Sequence, residues 1–136
     1  MKIKLDKGAY EPTRAFCTDA GLDLKASHDG TVKAGGTATF GTGVRVELPK
    51  GTAGVLLPKS GLMTKRDILT FGVVDETYRG EVKVHVFNFG DEDYHIDAGQ
   101  KITQMLVVPV LYEPVEVVDT LSECDRGEAG FGSTGV

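Results

Sequence analysis

The chain gathers its chemically capable side chains into five short stretches, each rich in small residues. Ala20-Gly21-Leu22-Asp23-Leu24 sets one carboxylate among apolar neighbours, where Asp23 can cap a turn. Pro58-Lys59-Ser60-Gly61-Leu62 joins a cation, a hydroxyl and a glycine behind an apolar run. Backbone amides in such a turn can cradle an anion. The G-x-x-x-x-G-K spacing of a P-loop is missing, and a plain strand-ending turn fits the same residues. Gly72-Val73-Val74-Asp75-Glu76-Thr77-Tyr78-Arg79-Gly80 reads as a hairpin bend, with Asp75 bonding turn amides and Tyr78 on the surface. Gln104 alternates with Ile102 and Leu106, so a polar amide sits on an apolar face and must find a partner. That partner is either backbone or a ligand. Finally, Arg126 to Gly135 holds a cation, one aromatic ring and two hydroxyls among glycines. This equipment suits stacking a base and wrapping phosphates; it is equally the composition of a flexible tail. His28, His85 and His95 show no metal or triad spacing and are expected to face solvent.

The elements that must position these groups are strands. Ala38 to Leu48 is rich in β-branched residues and is interrupted by Gly41 and Gly43. Ala53 to Pro58 is a short apolar run. Val82, Val84 and Val86 alternate with Glu81, Lys83 and His85, and Lys101 to Val108 alternates again. Val115 to Val118 is expected as a last short strand, and Ser60 to Lys65 as one helical turn. Turn signals recur at Asp29-Gly30, Gly35-Gly36, Pro49-Lys50-Gly51 and Ala98-Gly99. Many short strands at this spacing predict an all-β barrel or sandwich.

Bulk properties narrow the class. A chain of 136 residues suits one compact domain. The net charge of −5 argues against non-specific nucleic-acid or membrane binding, which need a positive field. A small anionic ligand remains compatible if local cations or a metal offset the repulsion. Cys17 and Cys124 lack zinc-site spacing. The start, MKIKLDKGAYEP, carries no apolar signal region, and no run approaches a membrane span. A soluble, cytoplasmic protein is expected.

Taken together and in order, the five stretches resemble the motifs of the homotrimeric dUTPase family: AGLDL at 20–24, PKSGL at 58–62, GVVDETYRGEV at 72–82, GQKITQM at 99–105 and RGEAGFGSTG at 126–135. The resemblance implies a distorted jelly-roll β-barrel over residues 1–121 and a flexible glycine-rich arm over 122–136. It implies hydrolysis of dUTP to dUMP and pyrophosphate with Mg²⁺, which limits uracil in DNA and supplies dUMP for thymidylate synthesis. Asp75 would be the general base, and Tyr78 the ring under the deoxyribose. Backbone around Leu69, Gly72 and Val73 would read the uracil edge. Ser60, Gly61 and Gln104 would meet phosphates, with Lys59 at the family's arginine position. Asp23 would hold hydrated Mg²⁺ through water. Arg126, Phe131, Gly132, Ser133 and Thr134 would close over the nucleotide. Each site of the implied homotrimer would draw on three chains.

The chain departs from the family pattern at several places. Leu22 stands where Tyr or Phe is frequent, Lys59 where Arg is usual, Leu69 where many bacterial members have Asn, Thr103 where Ala is common and Ala129 where Gly is usual. The chemistry still fits the residues. A carboxylate that orients and deprotonates water contributes roughly 10²–10⁴-fold, and a metal on the phosphates neutralises the leaving group. Two rivals remain: a dCTP deaminase, and a regulatory protein-binding module on the same fold. The run Lys83-Val84-His85-Val86-Phe87 lacks the glutamate expected of the first.

Overall fold

The computed structural model describes residues 1–125 and 127–129. Nine strands and one short helix follow in chain order: β1 (Lys2–Leu5), β2 (Leu22–Lys25), β3 (Gly30–Val32), β4 (Thr37–Glu47), β5 (Thr52–Leu57), α1 (Ser60–Arg66), β6 (Ile68–Val74), β7 (Glu81–Asn88), β8 (Tyr94–Ile96) and β9 (Lys101–Pro109). Seven strands form one sheet in the order β1-β4-β7-β6-β5-β9-β2, and β3 pairs with β8 as a separate ribbon. Every pairing is antiparallel. The expected all-β jelly-roll character is what the chain adopts.

Period-two patterning drives this arrangement. On β7, Val82, Val84 and Val86 are buried while Lys83 and His85 are exposed, as alternation requires. Phe40, Val44 and Val46 of β4 meet them, with Leu24, Ile68, Ile102 and Met105 from the other strands. The ribbon closes the core with Val32 and Ile96, both fully buried. Each such side chain contributes about 1.5–3 kcal/mol on leaving water.

Between Gly41 and Arg45, β4 advances four residues while β7 advances two, from Lys83 to Glu81. Two extra residues preserve parity, so Phe40, Thr42, Val44 and Val46 all still face inward. A one-residue bulge would have turned half of them outward. Gly43 takes φ of 66° inside this bulge, and a Cβ there would lie 2.6 Å from the Cβ of Ala9. The Thr42 hydroxyl donates to the Val82 carbonyl at 2.6 Å, replacing a ladder bond that the bulge removes.

Two expectations need adjusting. The helical turn extends to seven residues and ends at Asp67, whose φ is 54°. None of its residues is buried, so it left no apolar period to read. Residues 115–118 form no strand; Val115 and Val117 are 92% and 94% exposed. A strand needs a partner edge, and none in the described chain meets this segment. Among the described residues, no helix is long and apolar enough to cross a membrane.

Gly43→Ala should lose at least ~2 kcal/mol of stability by urea denaturation, because strain and the Ala9 clash add. Gly51→Ala has a similar φ of 75° but open space around the new methyl. It should lose only about 1 kcal/mol. Equal losses would refute the packing account of the bulge.

Candidate functional site

Two groups of polar residues assemble at separate places on the sheet. The first lies where β2, β9 and the end of β5 meet. Asp23 and Gln104 are register partners, and Leu57 pairs with Gln104 from the other side. The Gln104 amide donates to the Pro58 carbonyl at 3.1 Å, so the backbone reading of this residue holds within the single chain. Gly21 makes room for it: a Cβ there would fall 2.2 Å from the Gln104 side-chain oxygen. Ser60 and Gly61 open α1 directly beyond Lys59. Amides of a first helical turn have no partner within the helix.

The Asp23 carboxylate, only 8% exposed, carries one cation on each oxygen. Lys59 reaches Oδ1, and the Lys101 Nζ lies 2.8 Å from Oδ2. Burial pushes the Asp23 carboxyl up, but the hydrogen bonds from Lys101 and Lys59 outweigh it and hold the group below the usual range. Two cations against one anion leave a net positive charge beside Ser60 and Gln104. Lys101 was not singled out from the sequence, although it stands three residues before Gln104 in the same motif. Thr103 is fully buried; its hydroxyl accepts from Thr70 at 3.0 Å and donates to the Leu57 carbonyl at 2.8 Å. A hydroxyl pair thus accounts for the threonine where alanine is common. Leu22 is a core residue, which makes its departure one of packing.

The second group surrounds the hairpin bend. β6 pairs with β7 from Ile68↔Asn88 to Phe71↔His85, where that ladder ends. Gly72, Val73 and Val74 pair on the opposite edge with Leu56, Val55 and Gly54 of β5. Their β7-facing edge has no ladder partner, and a cavity of about 310 Å³ opens beside them. Gly72, Val73, Val74, Asp75, Tyr78 and Glu81 line it. Leu69, paired with Phe87 in the closed part of the hairpin, is not among the lining residues. Asp75 is exposed at the cavity mouth and opens a turn in which the Tyr78 amide donates to its carbonyl at 3.0 Å. The Tyr78 ring lies across Gly80, and its hydroxyl donates to the Glu81 carbonyl at 2.9 Å.

Glu76 braces this turn from the other side and was also missed by the sequence reading. Its carboxylate accepts from the Gly51 amide at 2.7 Å and the Tyr112 hydroxyl at 3.0 Å. The Gly51 amide, and then Tyr112, hold the Glu76 carboxyl below its ordinary value. Among the described residues, no three of His, Cys, Asp and Glu cluster to cage a metal. His28, His85 and His95 are exposed as expected. Arg126, Phe131, Gly132, Ser133 and Thr134 lie outside the described residues. In the described part of the arm, Gly127 rather than Ala129 takes positive φ, at 51°.

Comparison with known proteins places these groups in context. A family model described as dUTPase matches residues 8–135. The chain is 46% identical to the deoxyuridine 5'-triphosphate nucleotidohydrolase of Clostridium acetobutylicum, over all of this chain and 97% of that one. It is 43% identical to the protein of the same description from Gloeothece citriformis, over all of this chain and 98% of that one. Its fold matches the Staphylococcus bacteriophage 80alpha dUTPase with dUPNHPP at a TM-score of 0.92 and 28% identity, covering 99% of this chain and 98% of that one.

Asp23→Asn should lower stability at neutral pH by leaving two lysines without their shared anion. The folded-state value of Asp23 is depressed, so its contribution is present above the unfolded value of about 3.9 and is lost as pH falls through the lower folded value. Urea midpoints of the two proteins should therefore keep their gap from pH 7 down to about pH 5 and converge as the pH falls further. A gap that persists unchanged as the pH falls well below about 3.9 would remove the ion pairs as its cause.

Proposed function

The chain belongs to the dUTPase family, and we propose that it hydrolyses dUTP to dUMP and pyrophosphate with Asp75 orienting and deprotonating the attacking water. The observation that carries this reading is the cavity freed where β6 leaves β7. Its wall includes the β7-facing edge of Gly72 to Val74, held from behind by β5 and ending at Asp75. Uracil presents an acceptor at O4 and a donor at N3, and cytosine presents the reverse. Fixed backbone groups that suit one leave polar atoms unpaired with the other, which is a large penalty. A side chain at position 69 is not needed for such reading. The dCTP deaminase alternative is not favoured, since residues 83–87 supply no carboxylate.

Ser60, Gly61, Gln104 and Lys59 would bind the phosphates, where the net positive charge of the lysine pair lies. Mg²⁺ would arrive on the triphosphate with most of its waters, supplying charge neutralisation for the leaving pyrophosphate. The donor set fits such an ion better than a caged one: Asp23 is held ionised and can accept hydrogen bonds from metal-bound water. Arg126, Phe131, Gly132, Ser133 and Thr134 would close over the bound nucleotide.

The homotrimer belongs to this proposal. A general base must sit within hydrogen-bond reach of the water attacking phosphorus. In one chain, β6 and β9 are two strand spacings apart, and Val74 and Gln104 differ by three residues along β5. At about 4.8 Å per strand and 3.3 Å per residue, the two groups are roughly 14 Å apart. The base of one chain therefore serves phosphates held by another. The exposed Val115 and Val117 also favour assembly, as does the free edge of β1, where Lys2 and Lys4 could meet Glu113, Glu116 and Asp119 of a neighbour.

Asp75→Asn should cut turnover at least ~10²-fold while nucleotide binding is largely kept. Ser60→Glu should abolish phosphate binding by placing a carboxylate against it. Co-refolding the two inactive variants should restore part of the activity, since some mixed sites pair an intact Asp75 with an intact Ser60. No recovery from demonstrably mixed oligomers would overturn the shared site.

A further inference from the structure

Tyr78 presents a problem of support. The residue is 45% exposed, so packing alone cannot fix the angle of its ring. One face lies on Gly80, where an added Cβ would fall 2.3 Å from the phenolic oxygen. The remaining restraint is the 2.9 Å hydrogen bond from its hydroxyl to the main-chain carbonyl of Glu81. The position of that carbonyl therefore sets the position of the ring.

Residue 81 sits where the sheet is least regular. It pairs with Arg45 just beyond the β4 bulge, so the ladder on its other side is interrupted. A side chain takes over: the Glu81 carboxylate accepts the Gly43 amide at 2.8 Å. The glycines on β4 are shaped to receive it. Gly43 holds φ of 66°, and a Cβ on Gly41 would lie 2.5 Å from the same carboxylate oxygen. Glu81 also lines the hairpin cavity. One residue thus grips the bulge with its side chain and the tyrosine with its backbone.

We propose that Glu81 is a positioning residue for sugar discrimination, clamping the β4 bulge so that the Tyr78 ring stays where it rejects a 2′-hydroxyl. This rests on the reading of Tyr78 as the ring beneath the deoxyribose. Glu81 touches neither the reacting phosphate nor the water. Its loss should loosen selectivity between dUTP and UTP more than it slows dUTP turnover.

The test measures kcat/KM for dUTP and UTP, with melting temperatures, in single and double variants of the full chain. Glu81→Ala should lower the dUTP:UTP ratio about tenfold. Glu81→Gln keeps an oxygen for the Gly43 amide and should preserve most of the ratio. Gly41→Ala, which displaces the carboxylate without changing it, should reproduce the loss and decides the matter if the alanine variant fails to fold. Tyr78→Phe should lose the ratio to a similar degree, and adding Glu81→Ala to it should cause little further loss. If Glu81→Ala and Gly41→Ala slow both nucleotides equally, Glu81 is merely structural and the proposal is overturned. If Tyr78→Ala leaves the ratio unchanged, the reading of Tyr78 itself fails and takes the proposal with it.

Discussion

The constraint on which the site depends is the parting of β6 from β7. β6 lies between β7 and β5; its ladder to β7 ends at Phe71↔His85, while Gly72 to Val74 stay anchored to β5 on the opposite edge. The parting leaves main-chain donors and acceptors facing a cavity rather than a strand. Such groups are costly unless a ligand or water meets them. A planar base with its own donors and acceptors is a suitable partner. The hairpin gives up ladder bonds there without unfolding, because the β4 bulge, Thr42, Glu81 and Glu76 brace the surrounding chain.

Charge organises the rest. The chain carries −5 overall, yet the region around Ser60 and Gln104 has two lysines on one carboxylate. An arginine can engage both oxygens of a carboxylate with one planar fork, whereas lysine is a point charge. Here Lys59 and Lys101 take one oxygen each. Two point charges occupy the positions a single fork would fill, and they leave more positive charge behind. Burial of Asp23 makes that arrangement stiff, since removing either cation exposes a buried anion to a poor solvent.

The strand pattern was legible because the valines of β7 and the β-branched run of β4 obey a period of two. The motif residues were legible as a set, and the structure brings Asp23, Lys59 and Gln104 to one place and Gly72, Asp75 and Tyr78 to another. Other features were not. Helix α1 rests on the core through Leu62 alone, with no fully buried residue, and so leaves no periodicity. The supporting roles of Lys101, Glu76 and Glu81 depend on contacts across the sheet, and no local spacing encodes them. Residues 115–118 look like a strand in sequence and pair with no strand among the described residues. Alternation reports what a segment can do, while pairing depends on which edge is within reach.

That last mismatch bears on how activity would arise. The sheet ends at β1 and β2, and among the described residues only β2 has its edge partly covered, by the bridge from Thr13 to Asp23. Among the described residues, the edge of β1 stays open and Val115 and Val117 are almost fully exposed. An unpaired edge and an unpartnered strand-forming segment in one molecule are mutually complementary, but that segment leaves β9 at Val110, beyond the bond to Gly51, five strands from β1 in the sheet order. Pairing between copies satisfies both without bending the chain back across the sheet. The same geometry separates Asp75 from Ser60 and Gln104 within a chain. On the proposed reading, the contacts that bury residues 115–118 would also complete the site, so an isolated subunit would be both under-packed and inactive.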